Sequence, residues 1–352
     1  ELYQERLEEY KLVDEVGFDG IMLNEHHSTP FCMGGAMNIE ASILAKITTR
    51  AKIVLLGNVL PIWDDPLWLV EQLAMIDMIS RGRLVSGWVR GTARESVAHN
   101  APPHYNWERF QEAHEFIVKA WTTPGPFRWE GKHYQYRYVT PWVKPYQKPH
   151  PPIWLPGVVS RDSLVWAATK RIPYIMLATK LGPTKEAFQI YHDTAAELGY
   201  ESGPQNIGYL WKVHVDETEE LAAEVGRKYV QGPSNPFLAG NEGTQNQALG
   251  RLPGLTSRTR VLPTMKAATA NRGGVEGTSY EEQVEGYSIV SGTPKTVIPK
   301  IRHVLEELRP GSVFFWDGDG AMTHEDQMRS LRLMGEEVIP AVREIAKELD
   351  LK

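Results

Sequence analysis

The segment Gly20-Ile21-Met22-Leu23-Asn24-Glu25-His26-His27 is the most informative part of the sequence about the fold, because an apolar run ends there in a cluster of polar side chains. Residues 3–16 before it carry apolar side chains at nearly helical spacing, and Gly17 is suited to end that helix. The run at 20–25 is therefore predicted to be a buried strand that follows a helix. In proteins built from alternating strands and helices, functional groups gather at the carboxyl ends of the strands, which is where Glu25 and the two histidines stand.

The same alternation continues to the end of the chain. Further strands are predicted at 52–56, 83–89, 152–155, 174–177, 207–215 and 312–316. Helices are predicted at 39–48, 66–79, 107–121, 161–170, 184–198, 217–230 and 325–348. This pattern is typical of parallel strands joined by helical crossovers, and it predicts an α/β fold, a (β/α)8 TIM barrel with insertions. A closed barrel needs eight strands, and the chain begins inside a helix, so we expect the first strand to be missing from it.

Two segments interrupt the alternation. Residues 122–151 are rich in Pro, Tyr and Trp and are predicted to be irregular, apart from a hairpin around Trp129–Tyr138. Residues 231–290 are rich in Gly, Asn and Thr and weakly patterned, which favours an insertion within a single domain of residues 1–352. A long segment of this kind is a functional lid or a disordered insertion, and we expect a lid because it precedes the final strand.

The composition narrows the functional classes. The net charge of −6 argues against a nucleic-acid-binding protein, which usually carries a basic face. No apolar run approaches the roughly 20 residues that a membrane-spanning helix needs. Cys32 is the only cysteine and no signal peptide is visible, so we expect a protein of the reducing cytoplasm.

The two histidines at the tip of the first visible strand allow three interpretations. In the first, one histidine acts as a general base or donates a hydrogen bond to a developing anion. In the second, both are structural and bonded to Glu25 or the backbone. In the third, they are ligands of a metal ion. Adjacent side chains on a strand point to opposite sides, so at most one histidine faces the interior of a barrel. A metal site would need further ligands, and the histidines available are His99, His104 and His214. None of these three stands in a ligand-like motif, so no metal is expected.

Two further segments are suited to bind an anion. Arg90 and Gly91 follow a predicted strand, where an arginine can bind phosphate or carboxylate and a glycine lets a ligand approach the backbone. The alternative for Arg90 is a surface ion pair. Residues 157–163 lie between a strand and a helix, where backbone N–H groups and hydroxyls can hold a phosphate. Ordinary capping of that helix by Ser160 uses the same atoms, so both interpretations stay open.

In their order and spacing, these segments resemble the bacterial luciferase-like flavin monooxygenases, and the resemblance runs over nearly the whole chain. The motifs that carry it are Glu25-His26-His27, Ile76-Asp77-Met78-Ile79-Ser80-Arg81-Gly82-Arg83-Leu84, Val89-Arg90-Gly91, Gly157–Ser163 and Ser330-Leu331 with Glu337-Val338-Ile339-Pro340. The Asp-x-x-Ser-x-Gly-Arg segment at 77–83 is the most specific of them. The resemblance implies a (β/α)8 barrel that binds reduced FMN at the face formed by the carboxyl ends of the strands.

The resemblance also implies roles for individual residues. His26 matches the active-site histidine of the family, which assists the reaction of reduced flavin with oxygen or acts as a base. Leu56-Gly57-Asn58 matches the place of a non-proline cis peptide beneath the flavin ring. The implied cofactor-binding residues are Leu56, Gly57, Asn58, Arg90, Gly91, Gly157, Val159, Ser160 and Ser163, with Arg90, the N–H of Val159, Ser160 and Ser163 at the phosphate. Position 159 is valine where luciferase has an acidic residue, but only its N–H is needed there.

The activity implied by the resemblance is oxygenation of a hydrophobic organic substrate by O2, with FMNH2 supplied by a separate flavin reductase. No Gly-x-Gly-x-x-Gly fingerprint for binding NAD(P)H is present, which favours a diffusing reduced flavin. The family also implies a homodimer that buries a helical face near residues 39–79. The alternatives are a deazaflavin-dependent oxidoreductase of the same fold, a metal-dependent barrel hydrolase and a flavin-binding barrel without activity.

Overall fold

The computed structural model describes residues 1–27, 32–91, 93–158, 160–178, 180–230, 279–318, 320 and 322–351. These residues form two compact units. The first unit is Asp19–Trp154, and the second consists of Glu1–Phe18 with the described residues from Leu155 onward. Residues 231–278 of the predicted insertion lie outside the described residues, and the single domain over 1–352 stays a prediction.

Strands and helices alternate along most of the chain, as predicted. The strands are β1 (Gly20–Leu23), β2 (Lys52–Val59), β3 (Leu84–Val89), β4 (Phe127–Glu130), β5 (Gln135–Val139), β6 (Ile153–Gly157), β7 (Tyr174–Leu177), β8 (Ile207–Val215), β9 (Ile289–Gly292) and β10 (Ser312–Trp316). The helices are α1 (Leu2–Glu15), α2 (Met37–Ile47), α3 (Pro66–Ser80), α4 (Ala93–Ala98), α5 (Asn106–Thr122), α6 (Arg161–Lys170), α7 (Leu181–Glu197), α8 (Glu219–Val225), α9 (Tyr280–Glu285), α10 (Pro294–Leu308), α11 (His324–Leu333) and α12 (Ile339–Glu348). Within the described ranges, no helix combines the length and the apolar character that crossing a membrane requires.

The first unit is built on a parallel sheet. In it β1 pairs with β2, β2 with β3, and β3 with the first residues of β6. Nearly every side chain of β2 is buried, which is typical of a parallel strand covered on both faces. The hairpin predicted around Trp129–Tyr138 is confirmed, because β4 and β5 pair antiparallel there.

The second unit continues the parallel pattern with its own strands. The end of β6 pairs with β7, β7 pairs with β8, and β8 pairs with both β9 and β10. Aromatic rings fill the core along β8, where Tyr209 stacks on Trp211 and Trp211 meets Phe315 of β10 edge to face. Because β8 and β10 pair in parallel, their carboxyl ends lie at the same edge of this sheet.

Three expectations from the sequence are corrected. Seven strands are predicted, but the described residues contain an eighth parallel strand, β9, which begins at the end of the segment 231–290 that is predicted to be an insertion. β1 ends at Leu23 rather than at residue 25, so the Glu-His-His segment follows the strand instead of lying on it. The helices α4, α9 and α10 are not predicted at all.

The most specific motif, at 77–83, has a structural role. It joins α3 to β3, and both Arg81 and Gly82 take left-handed backbone conformations there, with φ of 56° and 82°. The guanidinium of Arg83 donates four hydrogen bonds of 2.7 to 3.0 Å to the last turn of α2 and to the segment between α2 and β2. The acceptors are Ala45 O, Thr48 O, Thr48 Oγ1 and Ala51 O. The motif therefore fixes the amino ends of β2 and β3.

Candidate functional site

Three polar residues of the first unit lie at the carboxyl ends of neighbouring parallel strands. His26 stands three residues beyond the end of β1, Asn58 is the second-last residue of β2, and Arg90 directly follows β3. Because β1, β2 and β3 pair side by side in parallel, their carboxyl ends lie at one edge of the sheet. That edge is where parallel α/β proteins bind their ligands.

His26 is paired with a carboxylate that no sequence pattern singles out. Its Nδ1 lies 3.1 Å from Oε1 of Glu95, which stands on α4. The side chain of Glu95 is 2% exposed, whereas that of His26 is 31% exposed. A buried carboxylate thus contacts Nδ1 of the imidazole, while the side chain of His26 as a whole is partly exposed.

His27 belongs to a different chain of hydrogen bonds. Its Nε2 lies 2.8 Å from Oε1 of Glu25, whose Oε2 accepts a hydrogen bond of 2.8 Å from Nδ2 of Asn58. The same Asn58 amide donates to Oδ1 of Asn38 on α2 at 3.0 Å. The ring of His27 meets that of His99 edge to face, and burial together with the charge of His27 lowers the pKa of His99. His27 therefore makes the contacts of a residue that fixes local structure.

Leu56, Gly57 and Asn58 occupy the end of β2. The Leu56–Gly57 peptide bond is cis, as the resemblance implies. A Cβ atom at Gly57 would lie 2.4 Å from the carbonyl oxygen of Gly87 on β3, so this position admits no side chain. Contact of these residues with a flavin stays a prediction.

Arg90 and Gly91 lead the chain from β3 into α4. The guanidinium carbon of Arg90 lies 5.9 Å from the centroid of the Trp107 ring, which is within the range of a cation–π contact. Gly91 has a φ of +75°, and a Cβ atom there would lie 2.4 Å from Cγ1 of Val59. The glycine lets the chain turn sharply after Arg90, and Glu95 is on the helix that follows.

The second unit holds the other predicted phosphate segment. Gly157 ends β6, and a Cβ atom there would lie 2.1 Å from the hydroxyl oxygen of Tyr174 on β7. Ser160 is the N-cap of α6, and its Oγ accepts a hydrogen bond of 3.3 Å from the N–H of Ser163. Capping by Ser160 is confirmed, while anion binding by the same atoms stays a prediction. Val159 lies outside the described residues.

The remaining histidines considered for a metal site have other contacts. The ring of His104 packs on Tyr105 at 4.1 Å between centroids. His214 is fully buried in the second unit, with Asp317 at 2.7 Å and Asp216 at 3.4 Å. In the part of the chain that the structure describes, no three side chains of His, Cys, Asp or Glu are grouped so as to hold a metal ion.

The first unit thus belongs to an α/β protein in which His26 and Arg90 stand at the carboxyl ends of parallel strands, where proteins of this class bind their ligands. Residues 2–310 match the family model described as luciferase-like monooxygenase, so the chain belongs to the luciferase-like monooxygenase family. The resemblance is therefore confirmed. The predicted enzyme class, a luciferase-like oxidoreductase, is confirmed at the level of the family.

Two curated relatives differ in how far they match. Over 352 residues the chain is 26% identical to the oxygenase component of the flavin-dependent trigonelline monooxygenase of Acinetobacter baylyi, covering 98% of this chain and 91% of that protein. It is 30% identical over 168 residues to the uncharacterized protein y4wF of Sinorhizobium fredii, covering 47% of this chain and 48% of that protein. The chain thus spans nearly all of one relative but only about half of the other.

Solved structures share the fold. One is the oxygenating constituent of 3,6-diketocamphane monooxygenase of Pseudomonas putida, a type II Baeyer–Villiger monooxygenase in complex with FMN. The TM-score is 0.77 and the identity is 19%, and the match covers 95% of this chain and 91% of that one. Another is an F420-dependent secondary alcohol dehydrogenase, with a TM-score of 0.69, 16% identity and coverage of 97% and 95%. At these identities the likeness concerns the fold, and the predicted α/β fold of the luciferase-like type is confirmed.

Proposed function

We propose that this chain is a flavin-dependent monooxygenase that uses reduced FMN and O2 to oxygenate a hydrophobic organic substrate. The observation that carries the proposal is the pairing of His26 with buried Glu95 at the same sheet edge as Asn58 and Arg90. That edge offers an oriented imidazole and a cation, which fit a ligand with a reactive ring and an anionic group. Membership of the luciferase-like monooxygenase family supplies the class of reaction.

The residues of this chain take distinct parts in the proposal. A bound flavin supplies the reaction with oxygen, while the protein binds it, orients it and excludes water. His26 is the catalytic residue and moves a proton or holds a hydrogen bond at the reacting centre. The proposed cofactor-binding residues are Leu56, Gly57 and Asn58 at the ring, Gly91 and Gly157 where the backbone approaches the ligand, and Arg90, Val159, Ser160 and Ser163 at the phosphate.

Reduced FMN reaches this chain from a separate flavin reductase in our proposal. The relative from Acinetobacter baylyi is named an oxygenase component, which supports a division of labour between two proteins. The absence of a dinucleotide fingerprint from the sequence agrees with that division. Location in the cytoplasm stays a prediction.

We also propose a homodimer that forms through α2 and α3, which pack against each other in the first unit. Their outer surface carries large apolar side chains that are 39% to 65% exposed. These are Ile39, Ile43, Trp68, Met75, Met78 and Ile79. Trp68, Met75 and Ile79 follow helical spacing, so they lie along one side of α3. An exposed apolar surface of this kind is typical of a protein–protein interface.

The nearest alternative is a deazaflavin-dependent oxidoreductase, because an F420-dependent enzyme shares the fold. The test supplies FMNH2 that has been reduced chemically, so that neither a reductase nor NAD(P)H is needed, and then adds 18O2. Three probes are compared: a long-chain aldehyde, a bicyclic ketone and trigonelline. The proposal predicts 18O in the product of an uncharged probe, and no product when reduced F420 replaces FMNH2.

Each other outcome of this test has a definite meaning. Labelling of trigonelline alone would keep the monooxygenase and overturn the hydrophobic substrate. Turnover with reduced F420 but not with FMNH2 would favour the deazaflavin enzyme. A protein that neither binds FMNH2 nor consumes oxygen with it would overturn the proposed function.

A further inference from the structure

We infer that Glu95 is a positioning residue for His26: it fixes the imidazole in the form whose proton is on Nδ1 and whose basic lone pair is on Nε2. The inference rests on the proposed function, because it assigns the atom of His26 that meets the reacting groups. It adds a residue to the site that neither the sequence motifs nor the family resemblance identifies.

With Glu95 taken as an ionised carboxylate, the contact sets the direction of the hydrogen bond. Nδ1 of His26 and Oε1 of Glu95 are 3.1 Å apart, a distance compatible with one N–H···O bond. An ionised carboxylate only accepts hydrogen bonds, so the ring nitrogen that faces it must carry the proton. A neutral imidazole has one such N–H, and its other nitrogen, Nε2, is then the basic one.

Burial makes Glu95 suited to this task. Its side chain is 2% exposed, so water competes little for the carboxylate, whereas the His26 side chain is 31% exposed. In the inferred arrangement the buried carboxylate orients the ring, and the partly exposed imidazole acts on the reacting groups. Carboxylate–imidazole pairs in general acid–base catalysis have this division.

The helix that carries Glu95 is anchored in the first unit. Nδ2 of Asn106, the first residue of α5, donates to Oγ of Ser96 at 2.7 Å. The N–H of Ala101 donates to the carbonyl oxygen of Ser96 at 2.8 Å. Ser96 and Asn106 are both buried. The carboxylate therefore stands on a backbone that is held in place, as orientation of a side chain requires.

The neighbouring histidine provides an internal contrast. His27 faces its carboxylate, Glu25, with Nε2 at 2.8 Å rather than with Nδ1. By the same reasoning, the neutral ring of His27 carries its proton on Nε2. Two adjacent histidines are thus held in opposite tautomers by two different glutamates.

The first test is 15N NMR of protein labelled at histidine, without flavin, at about pH 8, where an ordinary imidazole is neutral. We expect a protonated Nδ1 and an unprotonated Nε2 for His26, and the reverse for His27. In Glu95→Gln the His26 signals move toward the other tautomer while those of His27 stay. A protonated Nε2 on His26 in the unaltered protein, or His26 signals that do not respond to Glu95→Gln, would overturn the inference.

The second test is kinetic and uses FMNH2 with O2. The variant Glu95→Gln, which lacks the orienting carboxylate, is expected to have a kcat about ten- to hundred-fold lower. Its KM for FMNH2 should change less than about twofold. The matched control is Glu108→Gln, which removes the carboxylate that lies 3.1 Å from His133 elsewhere in the first unit, and it should leave both constants unchanged. A rise in KM alone would mean that Glu95 acts on cofactor binding and would overturn the positioning role.

The two tests separate this inference from the proposed function. The tautomers are measured without any cofactor, so they stand even if FMNH2 supports no turnover. If the unaltered protein turns over but the neutral ring of His26 carries its proton on Nε2, the inference is overturned and the proposed function stands.

Discussion

In the second unit, Nδ1 of His214 lies 2.7 Å from Oδ1 of Asp317, and neither side chain is more than 5% exposed. Nε2 of the same ring lies 3.4 Å from Asp216, whose carboxylate accepts two hydrogen bonds from Arg329. Burial by itself lowers the pKa of His214, but Asp317 and Asp216 outweigh it and raise the pKa to about 9. The charged ring therefore ties the end of β8 to the residue that follows β10.

This pair predicts that alkaline pH destabilises the protein. The pKa of His214 is raised above the unfolded value of 6.5, so its stabilising contribution is complete below about pH 6.5 and is lost as the pH rises through about 9. The full contribution corresponds to roughly 3 kcal/mol. The free energy of unfolding is measured in urea at about pH 6 and about pH 9.5. The decrease between these two pH values should be larger in the unaltered protein than in Asp317→Asn, which lacks a carboxylate that raises the pKa of His214. Equal falls in both proteins would contradict the raised pKa.

Arg83 predicts a large loss of stability from a conservative exchange. Lysine has three donors on one nitrogen and cannot reproduce the four hydrogen bonds that the guanidinium makes to the last turn of α2 and to the segment between α2 and β2. We expect Arg83→Lys to lower the free energy of unfolding by about 2–4 kcal/mol, because carbonyl groups there lose their donors. The matched control is Arg81→Lys, two residues away and exposed, which should change stability by less than about 0.5 kcal/mol. Equal effects of the two exchanges in urea unfolding would show that Arg83 does not stabilise the segment between α2 and β2 through these hydrogen bonds.

The apolar surface of α2 and α3 predicts a dimer that charge disrupts. The side chains of Trp68 and Met75 are 64% and 52% exposed, so glutamate at both positions should leave the fold intact and place charge in the interface. Light scattering after size-exclusion chromatography should give a dimer for the unaltered protein and a monomer for the double variant. Trp142→Glu is the control, because that side chain is 96% exposed outside these helices. A monomeric unaltered protein at micromolar concentration would remove the proposed interface.

The parts of the fold that follow from local pattern are predicted well. The helix at 161–170 and the strand at 174–177 have the bounds that apolar spacing and flanking polar residues predict. β9 is missed because its four residues follow a long, weakly patterned segment, so no alternation precedes it. Helix α10 is missed because it contains Pro299, and proline inside a helical pattern argues against a helix.

The candidate site is harder to predict than the fold. His26 and Arg90 are proposed as site residues because strand ends and family motifs mark them. Glu95 is 69 residues from His26, and no local pattern marks a carboxylate whose partner is so distant in sequence. Asp317 is separated from His214 by 103 residues and is missed for the same reason. Only the pairing of strands brings such groups together.

The proposed flavin site is tested most directly by an anaerobic titration of the protein with FMNH2 and, separately, with reduced riboflavin. If Arg90 binds the FMN phosphate, Arg90→Gln should weaken FMNH2 binding about ten- to hundred-fold and leave riboflavin binding unchanged, because riboflavin has no phosphate. Arg128→Gln is the matched control, since Arg128 lies exposed on β4 beside Glu130, and it should bind both flavins as the unaltered protein does. The proposed site predicts saturable binding of FMNH2 that is weakened selectively in Arg90→Gln. Absence of FMNH2 binding to the unaltered protein, or an equal loss for both flavins in Arg90→Gln, would contradict it.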